Sequence, residues 1–250
     1  MTGRTIVVTG GGRGIGEAIT REFHGHGDRV VIGSRVDSGL AKELGERVMF
    51  QPADVRHAAE SRMLIERAME WSGQVDVLIN NAGFSGWRSL ADIDESFWDD
   101  MIDTNLKGTL FACQAAVPRM SEGSSIINVS SLAGKRGSAN NSVYCGSKFG
   151  VNGITQSLAK EVGSLGIRVN AVCPVYVRTD GLDAALMESP SPAAGQEIES
   201  YMKAFSASNA ALGRMPSGEE VASTCYFLAS ERAGAITGQC INVDCGVLTQ

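Results

Sequence analysis

Short apolar runs alternate with stretches of helical periodicity along the whole chain. The runs at 4–9, 29–33, 47–51, 75–80, 124–130, 167–172 and 238–243 have strand length and are rich in Val and Ile. Between them, 14–26, 38–45, 57–72, 96–120, 143–163 and 218–230 carry apolar residues at helical spacing. Runs such as Val75-Asp76-Val77-Leu78-Ile79 are nearly continuously apolar, which suits strands covered on both faces. The alternation predicts one doubly wound α/β domain over 1–250, with about seven parallel strands and helices on both faces. The segment from Asp180 to Pro216 departs from this rhythm. It holds the breaker cluster Ser189-Pro190-Ser191-Pro192 between helical patches at 181–188 and 194–211. Insertions past a strand's C-terminal end lie where such folds bind ligands, so 180–215 is expected to be a substrate lid. Its polar residues and breakers predict little apolar area for docking and hence mobility without ligand.

Chemistry concentrates at two places. After the first apolar run comes Gly10-Gly11-Gly12-Arg13-Gly14-Ile15-Gly16, and then a helical pattern begins. Strand, glycine loop and helix in that order suit a pyrophosphate, because glycine permits close backbone approach and the helix start offers free N–H groups. Farther on, Tyr144 and Lys148 are four apart on a helix and share a face. A cation about 4 Å from the phenol supplies roughly 4 kcal/mol at an effective dielectric of about 20, so Lys148 is expected to depress the Tyr144 pKa. Such a tyrosine exchanges a proton with an alcohol or carbonyl, and a serine hydroxyl can polarise the same oxygen. Ser131 stands thirteen residues before Tyr144, with Ser130 as the competing candidate.

These residues closely resemble the short-chain dehydrogenase/reductase family. The spacing of Gly10, Gly14 and Gly16 is that family's, and Asp54-Val55, Asn80-Asn81-Ala82-Gly83, Asn105, Ser131, Tyr144 with Lys148 and Thr237-Gly238-Gln239 follow in family order. The resemblance implies a Rossmann-type fold, a nicotinamide dinucleotide and an alcohol–ketone interconversion. It implies that Tyr144 is the acid or base, Ser131 a partner of the substrate oxygen, Lys148 the residue that tunes Tyr144 and holds the nicotinamide ribose, and Asn105 the anchor of a proton relay. For the cofactor it implies Gly10, Gly12, Arg13, Gly14, Ile15 and Gly16 at the phosphates, and Asp54 and Val55 at the adenine. Asn81, Ala82 and Gly83 are implied behind the adenosine ribose, and Pro174, Val177 and Thr179 beside the nicotinamide. Two positions depart from the pattern: Val175 and Cys245 replace usual glycines. Val175 is expected to reshape its loop, and Cys245 to affect packing alone. Family members commonly form homotetramers, and the same is expected here.

An acid at the end of the second strand would select NAD, and an Arg would accommodate the 2′-phosphate of NADP. The strand ends Ile32-Gly33-Ser34-Arg35, so Ser34, Arg35 and Arg13 favour NADP, while Asp37 keeps NAD possible. A net charge of −6 disfavours nucleic acid and anionic membranes as partners. No apolar run reaches the roughly 20 residues of a membrane span, and an apolar run starting at residue 4 leaves no room for a signal peptide, so a cytoplasmic protein is expected. The six cysteines show no C-x-x-C pair and the three histidines lack metal-ligand spacing, so neither disulfides nor a metal is implied. The substrate is expected to be a small molecule, most simply a sugar, polyol or other polar metabolite. A 3-oxoacyl carrier-protein reductase is the alternative, and an NADP sensor without turnover is the alternative of another class. Carrier-protein reductases tend to dock their acidic partner with basic residues where this chain has Glu122 and Leu165. Phe84, Trp87, Tyr176, Leu182, Leu186 and Met187 are candidates for lining the site or for the core.

Overall fold

The computed structural model describes residues 3–249. Seven strands form one parallel sheet in the order β3-β2-β1-β4-β5-β6-β7. They are β1 (Thr5–Thr9), β2 (Arg29–Ser34), β3 (Val48–Pro52), β4 (Val77–Asn80), β5 (Ser125–Val129), β6 (Arg168–Pro174) and β7 (Cys240–Val243). The helices are α1 (Gly14–Gly25), α2 (Leu40–Leu44), α3 (Ala58–Ser72), α4 (Glu95–Ile102), α5 (Gly108–Ala116), α6 (Ser142–Val162), α7 (Asp180–Leu186), α8 (Ile198–Asn209) and α9 (Gly218–Leu228). No described helix is long and apolar enough to cross a membrane.

Period-two alternation along each strand divides the core. Ile6 and Val8 point to the α1/α9 side, where they meet Ile19, Phe23, Val221 and Leu228. Val7 points to the other side, where Leu64, Ile65, Ala112 and Val162 of α3, α5 and α6 pack. Both faces are thus covered, which is why the strands read as continuous apolar runs. Strand order reverses between β1 and β4, and the loops that leave their C-terminal ends frame a crevice at that switch point.

Two expectations need correction. The stretch 96–120 is not one regular helix: a π-helical turn at Asp103–Lys107 separates α4 from α5, and a 3₁₀ turn follows at Val117–Arg119. The lid segment also has more apolar area than its composition suggested. Ala185, Leu186, Ala193 and Met202 are buried with Trp87 in a third cluster, flanked by Tyr176, Leu182, Ile198, Tyr201 and Met215.

Candidate active site

The glycine loop binds back onto the sheet. Asn81 Nδ2 donates to the Thr9 and Gly10 carbonyls, each at 3.1 Å, and Thr9 Oγ1 accepts the N–H groups of Asn81 and Ala82 at 3.0 and 3.1 Å. Thr9 is therefore a structural anchor that motif reading missed. Gly10 and Gly14 adopt φ of +65° and +54°, a region that L side chains rarely enter. A Cβ on Gly16 would collide with the Gly10 carbonyl, and Gly12 lies against Ser38. Arg13 occupies the α1 N-cap without a side-chain cap, and Ile15 in the first turn is partly buried against the α1/α9 core. The first turn of α1 therefore keeps free N–H groups beside a backbone that nothing larger than glycine could form. This cradle fits a pyrophosphate.

At the end of β2, Ser34 Oγ donates to the Val36 carbonyl at 2.9 Å, and Arg35 is exposed. Neither Arg13 nor Arg35 forms an ion pair among the described residues. Asp37, the competing acid, accepts the Gly39 N–H at 2.8 Å and so closes the turn into α2. The Asp54 carboxylate has a partner the sequence reading did not weigh. Arg56 Nη2 donates to it at 2.7 Å and, with Nε, holds its pKa below the usual carboxylate range. Val55 is buried against Gly108 at the start of α5.

Four side chains converge at the C-terminal ends of β4 and β5. Asn105 sits in the π turn, where the extra residue per turn re-aims its side chain. Its Oδ1 accepts the Phe84 N–H at 3.0 Å and its Nδ2 donates to the Phe84 carbonyl at 2.9 Å, pinning the β4 loop. Asn105 Nδ2 also reaches Ser147 Oγ at 3.2 Å. A Cβ on Gly83 would lie 2.9 Å from Asn105 Oδ1 and 3.6 Å from Lys148 Nζ, so these three groups meet. Lys148 is buried and donates to the Val129 carbonyl at 2.8 Å, with its Nζ 5.8 Å from the Tyr144 ring centre.

The serines separate by exposure. Ser130 is buried and its hydroxyl donates to the Lys148 carbonyl at 3.2 Å. Ser131 is partly exposed, accepts the Ala133 N–H at 3.1 Å and donates to the Pro174 carbonyl at 3.5 Å, close enough to Tyr144 to act on its pKa. Burial pushes the Tyr144 phenol up to about 12, opposed by Ser131, and pushes Lys148 down to about 8. The expected depression of Tyr144 is thus reversed. Desolvation dominates, and Lys148 points its proton at the Val129 carbonyl rather than at the phenol.

The loop after β6 completes the site. Val175 avoids positive φ and donates its N–H to the Val243 carbonyl at 3.4 Å, so the chain passes this position with ordinary backbone angles. Pro174 ends β6, Val177 is buried, and Thr179 caps α7 by accepting the Leu182 N–H at 3.1 Å. The Tyr176 hydroxyl is 3.4 Å from that of Tyr201, and its ring is 4.9 Å from the Phe205 ring, tilted by 59°. This aromatic group on the lid carried no sequence motif. Of the candidate lining residues, Trp87 and Leu186 belong to the lid core, while Phe84 and Met187 remain 40% and 75% exposed. Glu188 fastens the lid to the β4 loop: its carboxylate accepts the Trp87 N–H at 2.6 Å and pairs with Arg88 at 3.2 Å.

Comparison with known proteins agrees with this fold. A family model described as enoyl-(acyl carrier protein) reductase, of the short-chain dehydrogenase/reductase type, matches residues 9–248. A ketoacyl reductase assigned to the monensin polyketide synthase of Streptomyces virginiae is 38% identical, with 99% of this chain and 97% of that protein aligned. The ligand-free aldohexose dehydrogenase of Thermoplasma acidophilum superposes with a TM-score of 0.88 at 33% identity, covering 98% of this chain and 94% of that one. A point variant of actinorhodin polyketide ketoreductase with NADPH gives 0.89 at 32% identity, covering 98% and 97%.

Proposed function

The chain belongs to the short-chain dehydrogenase/reductase family, and from that membership we propose that it is an NADP-dependent oxidoreductase. It interconverts a secondary alcohol and a ketone on a small polar metabolite such as a sugar or polyol, in the cytoplasm and as a homotetramer. The observation that carries the reading is the meeting of Ser131, Tyr144, Lys148 and Asn105 at the mouth of the glycine cradle.

Gly10, Gly12, Gly14, Ile15, Gly16 and the α1 N-terminus hold the pyrophosphate, while Arg13, Ser34 and Arg35 hold the 2′-phosphate. Asp54 and Val55 border the adenine, Asn81, Ala82 and Gly83 the adenosine ribose, and Pro174, Val177 and Thr179 the nicotinamide. Bound NADP(H) supplies or accepts the hydride. Tyr144 is protonated at neutral pH, as burial holds its pKa at about 12, above the ordinary phenol value, and that form donates a proton to the oxygen of a ketone. Ser131 hydrogen-bonds the same oxygen and holds it in line. With a pKa near 8, Lys148 is mostly charged at neutral pH, so its ammonium restrains the phenolate that forms. Asn105 keeps the β4 loop in place beside Lys148, and residues 180–215 close over the substrate as a lid.

A second reading, reduction of a 3-oxoacyl group on a carrier protein, is favoured by the ketoacyl reductase relative. Against it stand exposed Glu122 and Leu165, which adjoin where Gly123 N–H meets the Gly166 carbonyl at 3.0 Å and offer no basic dock. For the cofactor, kcat/KM with NADPH should exceed that with NADH by about 10- to 1,000-fold, the size of one or two charge-assisted contacts. Arg35→Asp should reverse the preference. Equal use of both cofactors by the parent protein would reject the 2′-phosphate site and return Asp37 to consideration.

A further inference from the structure

The 3₁₀ turn that follows Ser131, at Leu132–Gly134, leads into two basic residues that the structure treats differently. Lys135 is committed, since its ammonium donates to the Cys240 carbonyl at 2.6 Å. Arg136 is tied to the Ser131 turn by its backbone, whose N–H donates to the Leu132 carbonyl at 3.0 Å. Its side chain is exposed and forms no ion pair among the described residues.

Tyr176 locates that charge relative to the catalytic phenol. It stands two residues past Pro174, whose carbonyl is 3.5 Å from Ser131 Oγ, and so lies at the reacting end of β6. Burial and the Tyr201 hydroxyl raise the Tyr176 pKa far above the ordinary phenol value, so it stays protonated. Its hydroxyl is also close enough to Arg136 and Tyr144 for both to act on it, Arg136 downward and Tyr144 upward. Arg136 is not among the groups that act on Tyr144, so the cation is nearer to Tyr176 than to the catalytic phenol.

The half-buried Tyr176 and Tyr201 hydroxyls are 3.4 Å apart and share one hydrogen bond, which leaves one of their protons to donate elsewhere. No carboxylate of the chain acts on Tyr176, and Glu188 on the lid is spent on the Trp87 N–H and Arg88. A guanidinium and a spare phenol proton beside Tyr144 thus face no acceptor of the protein's own. Arginine's planar fork matches a carboxylate, a group that only accepts, and one cation balances its single charge.

We propose that Arg136 and the Tyr176 hydroxyl form a subsite for a substrate carboxylate. The preferred substrates are then oxo acids, and the hydroxy acids formed from them, whose carboxylate lies at least two carbons beyond the carbonyl served by Tyr144. This rests on the alcohol–ketone reading above and narrows its polar metabolite to an acid. An ester at the same position keeps the shape but loses the charge, and the subsite discriminates against it.

The test pairs levulinate with methyl levulinate, and 5-oxohexanoate with its methyl ester, under saturating NADPH. The remote ester leaves the reactivity of the ketone unchanged. The parent protein should favour the acid by about 10- to 100-fold in kcat/KM. Arg136→Gln should bring that ratio within about threefold through a higher KM for the acid, and Arg136→Lys should restore part of it. Tyr176→Phe, which keeps the ring beside Phe205, should lower the ratio by about three- to tenfold. A parent ratio near one, a glutamine variant that keeps the ratio, or one that loses acid and ester equally overturns the inference while leaving the oxidoreductase reading intact. No turnover of any of the four ketones by the parent protein overturns both.

Discussion

Burial acts on Tyr144 and Lys148 in opposite senses, and neither sense was visible in the spacing of four that identified them. The spacing placed phenol and ammonium on one face, which the structure retains, but it said nothing of the water both groups lose. The tyrosine spacing favoured Ser131 over Ser130, and exposure separates them the same way, with Ser130 buried and Ser131 partly exposed. Cys245 is a correction of another kind. Its φ of +54° retains the left-handed backbone of the glycine it replaces, so the consequence is strain as well as packing. Such a conformation costs roughly 1–2 kcal/mol in an L residue, and glycine returns part of that by gaining entropy when unfolded. Cys245→Gly should therefore stabilise the protein by about 1 kcal/mol and raise Tm by about 2–4 °C. A Tm that is unchanged or lower in calorimetry would mean the thiol contributes packing that offsets the strain.

Strands and helices were legible because both sheet faces are covered, leaving continuous apolar runs between helical periods. The π turn around Asn105 was hidden, since Asp103-Thr104-Asn105-Leu106-Lys107 contains neither Gly nor Pro to mark a break. The lid was located by its breakers but misjudged in composition. Its buried residues are mostly small or isolated along the sequence, and they form a cluster only when α7 and α8 fold onto Trp87. With both helices anchored, the accessible backbone narrows to Ala194–Glu197 between them, which is exposed throughout. Limited proteolysis of the unliganded protein should therefore start there and slow when NADPH and substrate close the segment. First cuts inside α7 or α8, or equal rates in both states, would contradict a hinged and anchored lid.

Across the whole molecule, the sheet order places the glycine loop after β1 and the Asn81–Gly83 loop after β4 on the two sides of the switch point. Separate motifs in sequence thereby become one site. What a single chain leaves uncovered is also informative. Trp98, Leu110 and Phe149 on α4, α5 and α6 are 50%, 45% and 47% exposed, an apolar set suited to a contact between copies. Light scattering at micromolar concentration should give a tetramer's mass, and a monomer would reject that assembly. The central claim concerns chemistry, and transfer of a label tests it without reference to assembly. With NADPH carrying deuterium at the transferred position of its nicotinamide, the product alcohol should gain one deuterium at the former carbonyl carbon. Tyr144→Phe should bind the cofactor within about threefold of the parent affinity yet transfer at least about 1,000-fold more slowly. Unlabelled product would contradict hydride transfer from the cofactor, and an intact protein that binds NADPH and transfers deuterium to no ketone would contradict the account by identifying a cofactor-binding protein without turnover.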